Sequence, residues 1–292
     1  MAVVMPRGGG LISMSGGGRP GGSGRPACLP TMVTPPIPNS IQFYEEFVNP
    51  SVLAPLGQVG TIATPATATH RYAIGANEWS VKQVGGTDGK FYQADPAAEG
   101  VYALASPTTS NAKTYLWLGG HEAGGTYVPA FLKLGNYDAV WMWRVKYDGI
   151  LPTSVRGFGL TDSVALDADW IADPDTTLNT YPSLVITRHA AAYSGDAAGD
   201  MVLREYTGSG VGPSTVIRPA ASVTTNWMKV EFAYSGTTGI ISVYLDGVLV
   251  GASANSLKDF SYSLSTGTMT TTAASRQIAL DTIYGEVGVG PR

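Results

Sequence analysis

The chain has 292 residues, of which only 14% are charged, with 37 glycines, 19 prolines, a single cysteine and a formal net charge of −4. One cysteine excludes an intrachain disulfide, the lack of a basic patch argues against a nucleic-acid partner, and no apolar run approaches the ~18 residues that a membrane span needs. The charge content lies well below the roughly 25% of ordinary domains, which predicts a turn-rich β protein or a surface buried against other subunits.

Residues 1–40 form a segment apart. Glycine clusters (Gly8–Gly10, Gly16–Gly18, Gly21-Gly22) give way to a proline-rich stretch from Pro30 to Pro38. The segment carries Arg7, Arg19 and Arg25, and the first acid of the chain is Glu45. Alone it buries too little apolar area to offset its ordering entropy, so it reads as an extended arm that orders only on docking. The three arginines are candidates for pairing with acids of a partner. Pro6 and Arg7 interrupt the opening residues before any apolar signal region develops, so assembly in a cytoplasm is expected. Cys28 has no basic helix terminus beside it in sequence and reads as a bystander thiol.

The folded domain is expected over 41–292. Phe43-Tyr44-Glu45-Glu46-Phe47 reads as an opening strand. Short strands are expected near 72–74 and 79–84, and a Gly-rich turn at 85–89 separates the latter from Phe91-Tyr92. Stronger strands follow at 101–105, 113–118 and 139–147. In the last, Trp141, Trp143, Val145 and Tyr147 share one face while Arg144 and Lys146 alternate with them. Further strands are expected at 155–160, 183–188 and 201–206, and Gly208–Gly212 reads as a loop with no lysine to complete a phosphate-binding motif. Between 226 and 250 the pattern is clearest. Met228, Val230, Phe232 and Tyr234 alternate with Lys229 and Glu231; a turn at 235–239 leads to Ile241, Val243 and Leu245; and Asp246-Gly247 makes a second, tighter turn before another apolar strand. A strand over 277–285 closes the chain.

Trp227 entering a strand, the hairpin, Tyr244-Leu245-Asp246-Gly247 and the apolar strand beyond it resemble the concanavalin A-like (laminin G-like) jelly roll. Ile278 to Glu286 resembles the last strand of that family. The resemblance implies an all-β antiparallel sandwich over about 41–290, with the last strand returning beside the first. It does not imply one function, because the same sandwich serves lectins, glycosidases and structural proteins.

Glycosidases of this scaffold carry a Glu-x-Asp-x-x-Glu strand motif that puts paired carboxylates on one face. The chain lacks it. Glu231 has Lys229 and Ala233 as same-face neighbours, and Glu45 and Glu46 point to opposite faces. No Gly-x-Ser-x-Gly elbow exists. His70, His121 and His189 sit in unrelated contexts, and the His121-Glu122 pair reads as a solvated loop rather than a zinc site. Asp167, Asp169, Asp173 and Asp175 are the candidate metal ligands, as four hard carboxylates within nine residues that could converge on calcium, with Asp162 as a weaker fifth; the same run also reads as a solvated turn. No other cofactor is expected. Trp170 within that run is the candidate glycan platform. Trp141, Trp143 and Trp227 read as core-facing, while Trp79 and Trp117 are unsettled.

These features, with the resemblance, lead to the expectation of a virion structural protein of a tailed bacteriophage rather than an enzyme. It would be a capsid decoration subunit of the cement or head-fibre kind, a homo-oligomer held to the major capsid protein or another virion subunit by its arm. The alternative is a carbohydrate-binding adhesin module for a host glycan. A glycoside hydrolase is the third reading.

Overall fold

The computed structural model describes residues 13–14, 29–45, 69–74, 77–86, 89–93, 101–118, 121–123, 126–128, 132–149, 154–162, 183–189, 196–206, 211–259 and 261–289. Its strands, in chain order, are β1 (Ser13–Met14), β2 (Ser40–Glu45), β3 (Thr69–Ile74), β4 (Asn77–Val84), β5 (Lys90–Gln93), β6 (Tyr102–Ala105), β7 (Lys113–Leu118), β8 (His121–Ala123), β9 (Thr126–Val128) and β10 (Leu132–Lys133). They continue as β11 (Ala139–Tyr147), β12 (Ser154–Asp162), β13 (Ser183–Arg188), β14 (Met201–Tyr206), β15 (Val211–Arg218), β16 (Met228–Tyr234), β17 (Ile241–Leu245), β18 (Val248–Ala252), β19 (Ser261–Thr270) and β20 (Gln277–Gly288). Among the described residues the helical content is a 3₁₀ turn at Ala220–Ser222.

Two antiparallel sheets make a sandwich, as the alternating patterns require. Sheet I runs β2–β20–β11–β16–β17–β18, with β1 beyond β2, and β6 beside the first half of β20 with β5 outside it. Sheet II runs β15–β14–β13–β12–β19–β7–β4–β3, and β10 also pairs with β19. The first strand of the domain lies against the last, with Ile41 opposite Val287 and Phe43 opposite Gly285. This is the concanavalin A-like arrangement that the resemblance implies.

The core forms where the two inner faces meet. Trp141, Trp143, Val145 and Tyr147 of β11 all point into it, as do Met228, Val230, Phe232 and Tyr234 of β16. Trp143 sits between the sheets, 6.0 Å from the Phe158 ring of sheet II and 5.2 Å from the Phe232 ring of sheet I. The Asp246-Gly247 turn joins β17 to β18 with φ of 51° and 90°, the mirror-image turn that matches strand twist and favours this residue pair.

Two strands run through segments that carry little apolar alternation. β19 reads Ser-Tyr-Ser-Leu-Ser-Thr-Gly-Thr-Met-Thr and yet lies between β12 and β7. Its hydroxyls find partners inside: Ser263 Oγ donates to the Leu118 carbonyl, Thr268 Oγ1 to the Arg276 carbonyl, and Ser265 shares a bond with Thr161. Satisfied hydroxyls can be buried as readily as small apolar groups. β15 contains Pro213 and is the edge strand of sheet II, where a missing N–H does no harm.

Gly285 allows β2 to close on β20. A Cβ there would stand 1.8 Å from the Phe43 ring. Gly285→Ala is therefore expected to destabilise the fold by about 1–3 kcal/mol through overpacking. Combining it with Phe43→Ala should recover part of that loss, read as a non-additive double-mutant cycle in urea unfolding. Simple additivity would show that the contact does not set the pairing.

Candidate functional site

The outer face of sheet I is divided in two. Its apolar half presents Val140 and Met142 of β11 and Tyr284 of β20, and residues 29–39 lie across it as a strap. Ile37 inserts between these side chains, with Leu29, Met32 and Tyr44 packed around them. This is a second small core on the far side of the sheet.

Prolines 30, 35, 36 and 38 leave the strap few amide donors. Three of those it has, at Val33, Thr34 and Ile37, go to carboxylates. Glu231 Oε2 accepts from the Val33 amide at 2.9 Å and Oε1 from the Thr34 amide at 2.7 Å. Glu286 Oε1 accepts from the Ile37 amide at 2.8 Å and from the Ser40 hydroxyl at 2.9 Å, and its Oε2 accepts from Tyr284 Oη at 3.0 Å. Both glutamates are fully buried. Hydrogen bonds to an ionised group are each worth about 1.5–3 kcal/mol, so a carboxylate holding two or three donors can anchor a chain that has no ladder of its own. The Lys229 ammonium donates to the Thr31 carbonyl at the start of the strap.

The strap thus crosses from β16 over β11 to β20 and enters β2. It stops short of the other half of the face, where β11 presents Arg144 and Lys146. Here the ladder between β11 and β20 slips by one residue, leaving Asp281 as a bulge that pairs with Arg144. Trp227 precedes β16 and lies outside the sandwich, half-buried. The Arg144 guanidinium stands 5.1 Å and the Lys146 ammonium 4.9 Å from its ring centroid. Cations favour an indole face at these distances. The Arg144 side chain remains 41% exposed. The core-facing assignment of Trp227 is therefore corrected: Trp227 stands just before β16, next to the inward-facing Met228, and neighbouring side chains of an extended chain face opposite ways. Trp141 and Trp143 are core residues, each 0% exposed.

The outer face of sheet II is more polar. Gly157 and Gly159 of β12 lie at its centre, beside Ser265 and Gly267 of β19 and Val185 and Thr187 of β13. Tyr115 and Trp117 flank it on β7, and Arg204 and Tyr206 on β14, all closed off from solvent. Arg204 pairs with Asp196, and its Nε donates to Thr187 Oγ1 at 3.0 Å. The same hydroxyl lies 3.1 Å from His189 Nε2. Burial, and then the Arg204 charge, push the His189 pKa down from 6.5 to about 3, so the ring is neutral near pH 7.

The five buried acids among the described residues are all taken up. Besides Glu231, Glu286 and Asp196, Glu205 holds the Ala254 and Asn255 amides and Asp200 holds those of Ala197 and Ala220. Among the described residues no three metal-binding side chains converge. Asp167, Asp169, Asp173, Asp175 and Trp170 lie outside the described residues, as do Arg7, Arg19, Arg25, Cys28 and Glu46. His70, His121, Glu45 and Asp162 lie on strands.

No protein-family model matches the chain, and no curated protein matches it. Solved structures do. Peanut lectin, in a complex with a nine-residue peptide, matches with a TM-score of 0.50 at 10% identity, over 87% of this chain and 99% of the lectin. The potassium-bound carbohydrate recognition domain of Emp46p matches at 0.47 and 10% identity, over 73% of this chain and 89% of its own. A Bacillus licheniformis β-glucanase matches at 0.43 and 10% identity, over 85% and 98%. The likeness is one of fold.

His189 supplies a pH dependence. Its folded-state pKa lies below its unfolded value, so the unfolded chain takes up the proton first as pH falls. Its contribution to stability is complete above pH 6.5 and is lost between 6.5 and about 3. Urea unfolding should lose up to about 1.4 kcal/mol per pH unit from this group in that window. His189→Gln should flatten the slope, and an unchanged slope would show that the ring is not the group responsible.

Proposed function

We propose that the protein is a non-catalytic carbohydrate-binding jelly roll that holds an acidic glycan on the open half of sheet I. The observation that carries this reading is the half-buried Trp227 with Arg144 and Lys146 set against its ring, next to the edge of the strap. An indole offers an apolar face to a sugar ring, and two neighbouring cations offer donors and charge to a carboxylate or sulfate on it. Asp281 fixes Arg144 from the side, which orients the fork without neutralising Lys146. Sharing the fold with a lectin fits this reading, and fold alone does not choose between a binder and a hydrolase.

The use of the acids supports binding over turnover. Hydrolysis of a glycosidic bond needs one carboxyl to protonate the leaving oxygen and a second about 5–9 Å away to attack or to activate water. Each buried carboxylate among the described residues instead holds main-chain amides or a paired arginine of its own chain. The virion reading uses the arm as its anchor. From Leu29 onward the arm is spent on its own sheet, so an anchoring role would fall to the residues before it.

The test is affinity electrophoresis and calorimetry of the purified chain with a polyuronate, a sulfated polysaccharide and a neutral glucan. Binding to the acidic polymers is expected, weakened by salt, with no binding to the neutral one. Trp227→Ala and Arg144→Gln should each weaken binding at least tenfold without lowering the unfolding midpoint by more than a few degrees. Equal binding by these variants would overturn the site, and release of reducing ends from any polymer would overturn the non-catalytic assignment.

A further inference from the structure

The outer face of sheet I carries a third cation, whose place follows from the register of β11 and β16. Met228 and Val230 point into the core, so Lys229 between them faces outward, on the side of Arg144 and Lys146. Lys229 is the direct cross-strand partner of Arg144. Residues opposed in this way have Cβ atoms about 4.5–5.5 Å apart. One step further along the same register Trp227 comes level with Lys146, in agreement with the 4.9 Å between that ammonium and the ring centroid. Arg144 and Lys146 thus turn to the indole. Lys229 turns to the strap, where its ammonium donates to the Thr31 carbonyl.

Like charges set opposite each other across a ladder are destabilising. Arg144 is relieved by Asp281. Lys146 and Lys229 make no ion pair with an acid among the described residues. The acids beside Lys229 are committed elsewhere. Glu231 holds the Val33 and Thr34 amides, while Asp246 binds Arg218 and accepts from the main-chain amide of Lys229 rather than from its ammonium. An ammonium has three donors. Thr31 takes one of them and sets the direction of the side chain, which leaves donors for a ligand and removes part of the rotamer freedom that binding would otherwise have to freeze.

We propose that Lys229 is a specificity-determining residue of the Trp227 site, where it binds a second anionic group on a glycan whose first is held by Arg144 and Lys146. The inference rests on the glycan reading of that site and narrows it. The preferred ligand carries two anionic groups, at least about 5 Å apart, the spacing of the two strands that bear the cations. Two sulfates, or a sulfate and a carboxylate, on one sugar or on neighbouring sugars meet this condition. The strap then takes part in recognition, because Thr31 aims the third cation.

The test is calorimetry of the full chain with carrageenan oligosaccharides of equal length, of the kappa type with one sulfate per disaccharide and of the iota type with two. Wild type should bind the iota type about tenfold more tightly, the effect of one charge-assisted contact. Its salt dependence should be steeper by about one released counterion. Lys229→Gln keeps a donor for Thr31 and loses only the charge. It should bring the iota type down to the affinity and salt slope of the kappa type and leave the kappa type unchanged, whereas Lys229→Arg should keep the preference. Trp227→Ala should weaken both. An undiminished preference for the iota type in Lys229→Gln would be general charge attraction and would overturn the role of Lys229, with the Trp227 site intact if Trp227→Ala still weakens both. Binding unmoved by Trp227→Ala, or no binding by wild type, would overturn the glycan reading and this inference with it.

Discussion

A buried carboxylate holding main-chain amides is the interaction on which the rest of this structure depends. Glu231 and Glu286 stand on the outer face of sheet I, on either side of β11, and gather the amides of Val33, Thr34 and Ile37. Without them the proline-rich strap would have no ladder and few donors to hold it. With them it seals Val140, Met142 and Tyr284 into a second core and ends where Arg144 and Lys146 begin. The boundary between a covered apolar half and an open cationic half follows from where two glutamates sit along two strands.

The same device recurs. Glu205 holds the connection after β18, Asp200 holds the turn at Ala220, and Asp148 ties the start of β20 to the end of β11. Nine charged side chains are buried among the described residues, where each charge-assisted bond is stronger than it would be in water. The basic side chains follow suit, with Arg204 paired to Asp196 beneath the outer face of sheet II and Arg156 and Arg188 gathered between the sheets.

Strands were legible wherever one face is apolar and the other polar. β7, β11, β13, β14 and β16 have the boundaries that alternation alone predicts, and the Asp246-Gly247 turn fixed the register of the last hairpin. β19 was not legible, because its apolar alternation is confined to Tyr262 and Leu264 and the hydroxyl residues that follow, satisfied by distant groups, do not extend it. Trp227 was assigned to the core although the strand after it was placed correctly: with Met228 facing inward, the residue before it faces outward. The strap was hidden for a different reason. Proline and glycine suggest disorder, and the acceptors that order residues 33–37 lie 198 and 249 residues away along the chain, at Glu231 and Glu286. One signal was available: Glu231 alternates with apolar residues on a strand beside no second carboxylate, and a lone acid there calls for a partner from elsewhere in the chain.

Amide hydrogen exchange along the strap, compared between wild type, Glu231→Gln and Glu286→Gln, tests this most directly. In wild type the Val33, Thr34 and Ile37 amides should be protected well beyond an open chain. Glu231→Gln should speed exchange at Val33 and Thr34, and Glu286→Gln at Ile37, each by about 10–100-fold, the value of one charge-assisted bond. Exchange at open-chain rates in wild type, or rates unmoved by either substitution, would mean that the carboxylates do not hold the strap and that the division of sheet I has another cause.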